Sequence, residues 1–372
     1  MRRVIVSTVG TSLLTNQIIR SAPSEKDWYN QLRDTANFTA QQMPEEILEI
    51  LEILQKRATQ KLNQSSTTII RSASAELNGI YGLYQEQLER GSQDMHWLIA
   101  TDTIQGLITA QVVELFLQSK GLIAQIYTPK GLSTANTRSF AEGVDDLLTQ
   151  LRPMTEGYDK VCFNLVGGFK SLQAYLNTIG MFYADEIIYI FEGANSEIIT
   201  IPRLPIKIDE TTIKPYATQF ALMAAGAEVK RSELLGIQET LIYAVEDEVI
   251  LSNWGKLVWN QAKNQILSGD LLTLPRVHYE ESFKKDYRDI SDEKQSIKLQ
   301  EVLAKISSLL VKYSGDTAYL KGDGGVLYEV YVNKGGIAHF RVTQGLRVSC
   351  IAEGGNLKLR HYGSHDYVNN NP

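Results

Sequence analysis

The sequence predicts an α/β protein with an N-terminal parallel sheet, a helical connector and a C-terminal α+β module with an antiparallel sheet. The first observation is a repeated order of apolar strand, polar turn and helical pattern, which is typical of a parallel sheet covered by helices. The second is a set of short alternating strands near the C-terminus, separated by glycine-containing turns that indicate hairpins.

The chain starts with an apolar strand that runs into a turn of small residues, Arg2-Arg-Val-Ile-Val-Ser-Thr-Val-Gly-Thr-Ser12. Gly10 permits a tight backbone there, and hydroxyl groups come from Ser7, Thr8, Thr11 and Ser12. A helical pattern follows. No Gly-Lys-Ser/Thr is present and the turn has one glycine, which excludes a Walker loop and a full dinucleotide fingerprint.

Two more strands are predicted downstream of this turn. Residues 97–103 form one, which leads into a helix over 104–117 that Asp102 and Thr103 are expected to cap. Residues 123–127 form the other, which ends at a Thr-Pro-Lys-Gly turn.

The most informative stretch is Val161-Cys-Phe-Asn-Leu-Val-Gly-Gly-Phe-Lys170, an apolar strand that ends in paired glycines and a lysine. A helical pattern continues over 171–180. In an open α/β sheet, ligands bind at the carboxyl ends of the strands. Gly167 and Gly168 let the backbone approach a ligand, while Lys170 and the helix N-terminus favour an anion. The alternative to a ligand-binding turn is a tight turn without a ligand, in which the lysine is solvated.

The segments between these motifs are mainly helical by pattern. Helices over 45–62 and 75–87, with a short strand over 65–70, form an insertion between the first two sheet strands. The connector is expected to be helical over 216–225, 228–245 and 254–267, with a turn at 246–251. It could be a winged helix, or a helical element that transmits conformational change.

The C-terminal module starts with a strand over 276–279 and a helical hairpin over 282–287 and 292–313. Four strands follow, over 326–333, 337–344, 347–353 and 357–362.

Composition is that of a soluble protein of two or three domains, with 372 residues, 43% hydrophobic and 22% charged. No apolar run is long enough to span a membrane. Cys162 and Cys350 lie in apolar strands, so free buried thiols in a reducing cytoplasm are expected and a zinc-thiolate site is disfavoured. The net charge is −6, but residues 271–372 hold 14 Lys+Arg against 12 Asp+Glu and four of the five histidines. Nucleic-acid binding there would depend on local patches.

The N-terminal motifs resemble the CRISPR-associated Rossmann-like fold, or CARF, the sensor domain of type III CRISPR ancillary proteins. The resemblance is carried by 4–13, 100–103 and 164–170, and it covers residues 1–203. It implies a homodimer that binds a cyclic oligoadenylate across its two-fold axis, without a cofactor. Cyclic tetra-adenylate is expected because its symmetry matches that of an isologous dimer. The implied ligand-binding residues are Ser7, Thr8, Gly10, Thr11, Ser12, Asp102, Thr103, Gly167, Gly168, Phe169 and Lys170.

The C-terminal module, residues 271–372, resembles the RelE family of toxin ribonucleases. The order of 320–322, 327–332, 339–342 and 362–367 carries this resemblance. It implies cleavage of messenger RNA in the ribosomal A site without metal, through attack of a 2′-hydroxyl on the adjacent phosphate.

The same resemblance implies residue roles. Arg341 would clamp the phosphate, His365 would act as acid or base, and Tyr367 would stack on a base or shuttle a proton. Candidates for charge stabilisation are Lys334, His339 and Arg347. Glu329 and Tyr331 stand where family lysines often lie, which leaves the general base open.

Together the two resemblances imply a CARF sensor (1–203), a connector (204–270) and a RelE-like effector (271–372), as in CRISPR-associated mRNA interferases. Lys170 with Thr11 or Ser12 could also cleave the ring. The alternatives are a stand-alone ring nuclease and a non-enzymatic, ligand-responsive regulator that binds nucleic acid. A metal at His361 and His365 would need a helix, which Gly363 disfavours.

Overall fold

The computed structural model describes residues 2–190, 197–206, 208–322 and 326–372. The chain divides into two compact units, an N-terminal unit over 1–206 and a C-terminal unit over 207–372.

The described part of the N-terminal unit contains a six-stranded sheet. Five of its strands are parallel in the order β3-β2-β1-β4-β5, and β6 is antiparallel at the edge next to β5. The strands are β1 Arg3–Thr8, β2 Met95–Ile99, β3 Ile123–Tyr127, β4 Lys160–Asn164, β5 Glu186–Ile190 and β6 Ile198–Pro202. The predicted parallel sheet is therefore confirmed. Its central strand is buried on both faces, which explains its continuous apolar run.

Helices cover the sheet and fill the insertion between β1 and β2. They are α1 Ser12–Thr15, α2 Trp28–Asp34, α3 Glu45–Gln64, α4 Thr67–Ala73, α5 Ala75–Leu83, α6 Ile104–Ser119, α7 Thr137–Thr155 and α8 Lys170–Tyr183. The strand predicted over 65–70 is wrong, because α4 occupies that segment. Its β-branched run indicated a strand, but Ile70 and Ala73 bury one helical face while Ile69 remains exposed.

The C-terminal unit has a second, mainly antiparallel sheet in the order β10-β14-β13-β12-β11 and a smaller one in the order β7-β9-β8. Its strands are β7 Val229–Lys230, β8 Ile242–Val245, β9 Glu248–Leu251, β10 Val277–Tyr279, β11 Glu329–Val330, β12 Ile337–Arg341, β13 Leu346–Glu353 and β14 Asn356–Ser364. Its helices are α9 Ala217–Ala224, α10 Asn253–Leu267, α11 Glu281–Arg288, α12 Glu293–Lys312, α13 Tyr319–Gly322 and α14 His365–Asn370. The predicted fold class, with its helical region and antiparallel sheet, is confirmed.

The prediction of a helix over 228–245 is wrong. This segment holds β7, two short 3₁₀ turns and β8, and the turn predicted after it contains β9. Gly236 has φ +95°, which a helix cannot contain, and Leu235 beside it is 74% exposed. The helix-like hydrophobic periodicity of 228–245 comes from two separate segments, one on each side of the turn at Gly236.

One face of the large sheet builds the core of the C-terminal unit. Ala338, Phe340, Val348, Cys350 and Leu359 are fully buried on it. They share one hydrophobic cluster with helix α12 and with residues of α9 and α10. Because side chains alternate along a strand, the opposite face carries the polar residues of the same strands.

Both cysteines are free and buried, as predicted. No helix among the described residues is long and apolar enough to cross a membrane.

Candidate ligand cleft and candidate active face

The turns that follow β1 and β4 meet at one edge of the N-terminal sheet. The two strands are parallel neighbours, with Ser7 opposite Asn164. Gly10 lies so close to Gly168 that a Cβ on Gly10 would be 3.1 Å from the Gly168 backbone nitrogen. Gly168 also has φ +96°, a conformation that side chains rarely adopt. The glycines are therefore needed to bring the two turns together.

Glu76 supports both turns from below. Its Oε1 accepts a hydrogen bond from the Gly10 N–H at 2.7 Å, and its Oε2 accepts one from Ser74 Oγ at 2.7 Å. A Cβ on Gly167 would lie 2.2 Å from the same Oε1. Glu76 is fully buried, and this burial raises the pKa of its carboxyl group although the hydrogen bonds oppose the change. The sequence pattern did not indicate Glu76, whose only signal was an acidic residue in a helix of mostly apolar and small residues.

Ser7 and Thr8 are fully buried beneath the turns. Ser7 Oγ accepts a hydrogen bond from Asn164 Nδ2 at 3.1 Å, and Thr8 Oγ1 donates one to the Gly167 carbonyl oxygen. These hydroxyl groups connect β1 to β4 and do not line the cleft above it.

A cleft of about 470 Å³ opens over the two turns. Seven of the predicted ligand-binding residues line it: Gly10, Thr11, Ser12, Gly167, Gly168, Phe169 and Lys170. A second cavity of about 340 Å³ shares Ser12 and Tyr189 with it and adds Arg71 and Asn78. The structure thus brings together the residues of two motifs that are more than 150 positions apart in the chain.

Lys170 is the first residue of α8 and its side chain is exposed. Among the residues that the structure describes, it has no hydrogen-bond or ion-pair partner. No side chain in the described ranges caps α8, so the N–H groups of its first turn are also open to a ligand. Gln173 Nε2 donates to the Gly167 carbonyl oxygen at 2.9 Å and holds the turn in place. This end of the cleft favours an anion.

Two tyrosines that the sequence analysis did not identify also line the cleft. Tyr29 is 47% exposed and Tyr189 is 46% exposed. Exposed aromatic rings beside an anion-binding turn provide stacking surfaces for flat bases. Neither tyrosine belongs to a glycine turn, which is why the motif search missed them.

Asp102 and Thr103 lie outside the set of cleft-lining residues. Thr103 caps α6 as predicted, accepting a hydrogen bond from the Gly106 N–H at 3.2 Å. Asp102 does not cap this helix; its Oδ2 accepts from the Gly131 N–H at 2.8 Å and connects the turn after β2 to the turn after β3.

The polar face of the C-terminal sheet brings together residues from four strands. Glu329 pairs with His339, His339 with Ser349, and Ser349 with His361. In the next row, Arg341 pairs with Arg347. The two rows place histidines and arginines side by side on one surface.

His339 is partly enclosed on this face. Its ring stacks on Tyr331 with centroids 4.6 Å apart, and its Nε2 lies 3.8 Å from Glu329 Oε2. Burial lowers the pKa of His339, and the Glu329 carboxylate partly opposes that change. His339 is therefore neutral at pH 7, in the form that can accept a proton.

The two arginines differ in their surroundings. Arg347 is 6% exposed, and its Nη1 donates to the carbonyl oxygens of Thr343, Gln344 and Leu346 at 2.9, 3.2 and 3.1 Å. Burial lowers the pKa of Arg347, and the charge of Arg341 acts in the same direction. Arg341 has a buried Nε without a partner among the described residues. Arg347 is thus held by the backbone, whereas the Arg341 side chain makes no hydrogen bond within the described residues and its Nε is enclosed.

Helix α14 packs against β13 and β14. Tyr331 Oη donates to Asn369 Oδ1 at 2.6 Å and Lys334 Nζ donates to the Asn369 carbonyl oxygen at 2.9 Å, so the end of the helix is held by the segment that follows β11. His365 opens the helix and is 53% exposed, with Nδ1 3.2 Å from Asp366 Oδ1. Helix α14 therefore places two predicted residues at the border of the polar sheet face: His365, at its start, and Lys334, which is bonded to its end.

Tyr367 belongs to a group of three that the sequence analysis did not assemble. Its Oη donates to Asp286 Oδ1 at 3.1 Å, and His361 Nδ1 lies 3.1 Å from Asp286 Oδ2. Burial raises the pKa of the Tyr367 phenol, and its hydrogen bond to Asp286 acts in the same direction. Asp286 lies 75 positions before His361, and no local pattern connects them.

His361 lies on strand β14 and His365 on helix α14, so the single helix that a metal site at this pair would need is absent from the described residues. Within those residues, no group of three His, Cys, Asp or Glu side chains could hold a metal ion.

Residues 71–204 match the model of a family described as CRISPR-associated protein (Cas_APE2256). The match covers about a third of the chain and includes the Gly167–Lys170 turn and the cleft residue Tyr189. It begins after β1 and ends before the C-terminal unit. The match supports the conclusion that this chain is a CRISPR-associated protein.

Proposed function

We propose that this protein is a ribonuclease of CRISPR defence that a cyclic oligoadenylate activates. The N-terminal unit would bind the ring, and the C-terminal unit would cut messenger RNA in the ribosomal A site. The observation that carries the proposal is the polar sheet face, on which His339 and His361 lie beside Arg341 and Arg347. The family match supports the placement in CRISPR defence.

The cleft supports the choice of ligand. An adenylate needs a stacking surface for its base and donors for its phosphate, and Tyr29, Tyr189 and Lys170 supply these groups. The cleft of about 470 Å³ has the size of a site for one small molecule, smaller than a ring of four nucleotides. A ring shared between the clefts of two subunits agrees with this size, so a homodimer is part of the proposal.

The polar face supports the reaction. Attack of a 2′-hydroxyl on the adjacent phosphate needs a base, an acid for the leaving oxygen and cations for the charge on phosphorus. Neutral His339 can serve as the base, and the Arg341 guanidinium, which makes no hydrogen bond within the described residues, would hold the phosphate. His365 and Tyr367 supply further groups that can transfer a proton, at the start of α14.

Calorimetric titration with cyclic tetra-adenylate tests the sensor. Lys170→Ala should weaken ring binding about tenfold or more, since it removes a charge-assisted contact. Lys56→Ala is the matched control, because Lys56 is an exposed lysine on α3 away from the cleft. Unchanged affinity of the Lys170→Ala protein would refute its role in ring binding.

Cleavage of a defined messenger on purified ribosomes tests the effector. Arg341→Ala should reduce ring-dependent cleavage about 100-fold or more while ring affinity is retained. Arg288→Ala is the control, since Arg288 is an exposed arginine of the same unit. Full activity of Arg341→Ala would refute the role of Arg341 in cleavage. A wild-type protein that binds the ring but cuts no RNA would favour a non-enzymatic regulator.

Ring cleavage is the second candidate activity, and one observation favours it: Thr11, Ser12 and Lys170 line the same cleft. A lysine beside hydroxyl groups can hold and polarise a phosphate of the ring. Chromatography of the ring after incubation tests this activity, which Lys170→Ala should abolish. Ring loss without any effect on translation would favour a stand-alone ring nuclease.

A further inference from the structure

We propose that His361, oriented by Asp286, is a further catalytic residue of the RNA-cutting face and protonates the leaving oxygen. This inference rests on the proposed ribonuclease function. It adds a catalytic residue, His361, and a positioning residue, Asp286, to the residues that the sequence indicated.

The sheet register places the two imidazoles on the same face. His339 lies opposite Ser349 on β13, and Ser349 lies opposite His361 on β14. Adjacent strands are about 4.8 Å apart, so the two histidine backbones are about 10 Å apart with one strand between them. The neighbouring row carries Arg341 and Arg347. The two imidazoles therefore lie in one row across three strands, next to the row that carries Arg341.

Asp286 fixes the orientation of the His361 ring. Its Oδ2 lies 3.1 Å from His361 Nδ1 and accepts the Tyr362 N–H at 3.0 Å, while its Oδ1 accepts the Tyr367 hydroxyl at 3.1 Å. Both oxygens are thus engaged by groups from β14 and α14, and the carboxylate cannot turn away. A carboxylate that accepts the Nδ1–H leaves the transferable proton on Nε2.

The second nitrogen of His361 is available. Nε2 makes no hydrogen bond with any residue in the described part of the chain, and the side chain is 23% exposed. The groups that face the ring are Asp286 from α11, Tyr367 from α14 and Ser349 from β13. A charged His361 therefore has its counter-ion in place and an open Nε2 from which a proton can leave.

The proposed step is balanced without another reactant. His339 takes the proton of the 2′-hydroxyl, and the 2′-oxygen forms a bond to phosphorus while the bond from phosphorus to the 5′-oxygen breaks. His361 gives its Nε2 proton to that 5′-oxygen. The products are a 2′,3′-cyclic phosphate and a 5′-hydroxyl, and a later exchange of protons with water restores both histidines.

The test uses the full-length protein with cyclic tetra-adenylate, ribosomes and a messenger, in single-turnover reactions from about pH 5.5 to about pH 8.5. His361→Gln should slow cleavage about 100-fold and remove the decline in rate at high pH, because the group that must be protonated is gone. Asp286→Asn should slow cleavage about tenfold, and this loss should disappear, as for His361→Gln, when sulfur replaces the leaving oxygen. His278→Gln, at an exposed histidine of β10, should behave as the wild type.

A modified messenger separates catalysis from a structural role. When sulfur replaces the 5′-oxygen at the cleavage site, the leaving thiolate needs no proton, so His361→Gln should cut this RNA within about threefold of the wild-type rate. A defect that persists on the sulfur substrate, or full activity of His361→Gln on normal RNA, would overturn the inference. If the wild-type protein cuts RNA and Arg341→Ala does not, the ribonuclease function stands and these results test only the role of His361. If the wild-type protein cuts no RNA, both the ribonuclease function and the role of His361 are refuted.

Discussion

The backbone N–H of Gly10 donates a hydrogen bond to the buried carboxyl group of Glu76 at 2.7 Å. Gly10 follows the first strand of the chain, whereas Glu76 lies on α5, in the insertion between the first and second sheet strands. Gly167 packs on the same carboxyl group. One side chain thus sets the positions of both turns that border the cleft.

Glu76→Ala should destabilise the N-terminal unit by about 2 kcal/mol, because the Gly10 N–H loses its acceptor in a buried place. Glu76→Gln keeps an acceptor of the same shape and should retain ring affinity. Urea unfolding and ring titration measure the two effects. Glu49→Ala, at an exposed position of α3, is the control and should cost less than about 0.5 kcal/mol.

The raised pKa of Glu76 predicts how the difference in stability between Glu76→Gln and the wild-type protein depends on pH. The folded state holds the proton more tightly than the unfolded chain, so the stabilising contribution is complete below about pH 4.5 and is lost as the pH rises through the folded pKa. The stability of Glu76→Gln relative to wild type should therefore increase above about pH 4.5 and then level off. Urea unfolding at several pH values checks this; a difference that does not change with pH would contradict the buried carboxyl described here.

Gly168→Ala should damage the cleft more than Gly157→Ala, although both residues have positive φ, +96° and +85°. A Cβ on Gly168 would lie 2.8 Å from Thr8 Cβ, while a Cβ on Gly157 would meet nothing within 4 Å. We expect a cost of about 3 kcal/mol for Gly168→Ala and about 1 kcal/mol for Gly157→Ala.

Thermal unfolding and ring titration of the two glycine variants give the comparison. Only Gly168→Ala should also lose ring affinity. Equal losses of stability and ring affinity in the two variants would mean that the cleft does not depend on the close approach of the turns after β1 and β4.

Glu329→Gln should lower the pKa of His339 further, because the carboxylate is the charge that favours the imidazolium form. NMR titration of the His339 ring protons measures this directly. A lowered folded pKa means that His339 contributes stability above about pH 6.5, which is lost as the pH falls through the folded pKa. An unchanged His339 pKa in Glu329→Gln would show that the two groups do not interact.

The sequence predicted the strands and the glycine turns because both depend on local patterns. Continuous apolar runs identified β1 and β4, and the paired glycines with Lys170 identified the end of β4 where the cleft lies. The segment 228–245 was predicted wrongly because its periodicity is broken at Gly236, where φ is positive.

The residues that the sequence did not reveal act through tertiary contacts. Glu76 reaches Gly10 and Gly167, and Asp286 reaches His361, over separations that no local pattern records. Tyr189 is part of an apolar strand pattern, yet it is exposed at the cleft. Such contacts follow from the order of strands in each sheet, which the sequence pattern leaves open.

The central claim is that ring binding switches on RNA cleavage, and one reaction tests it most directly. Purified ribosomes translate a defined messenger with this protein, with and without cyclic tetra-adenylate, and the RNA ends are mapped. We predict cuts within the A-site codon only when the ring is present. Intact RNA while the ring binds or disappears would contradict the claim.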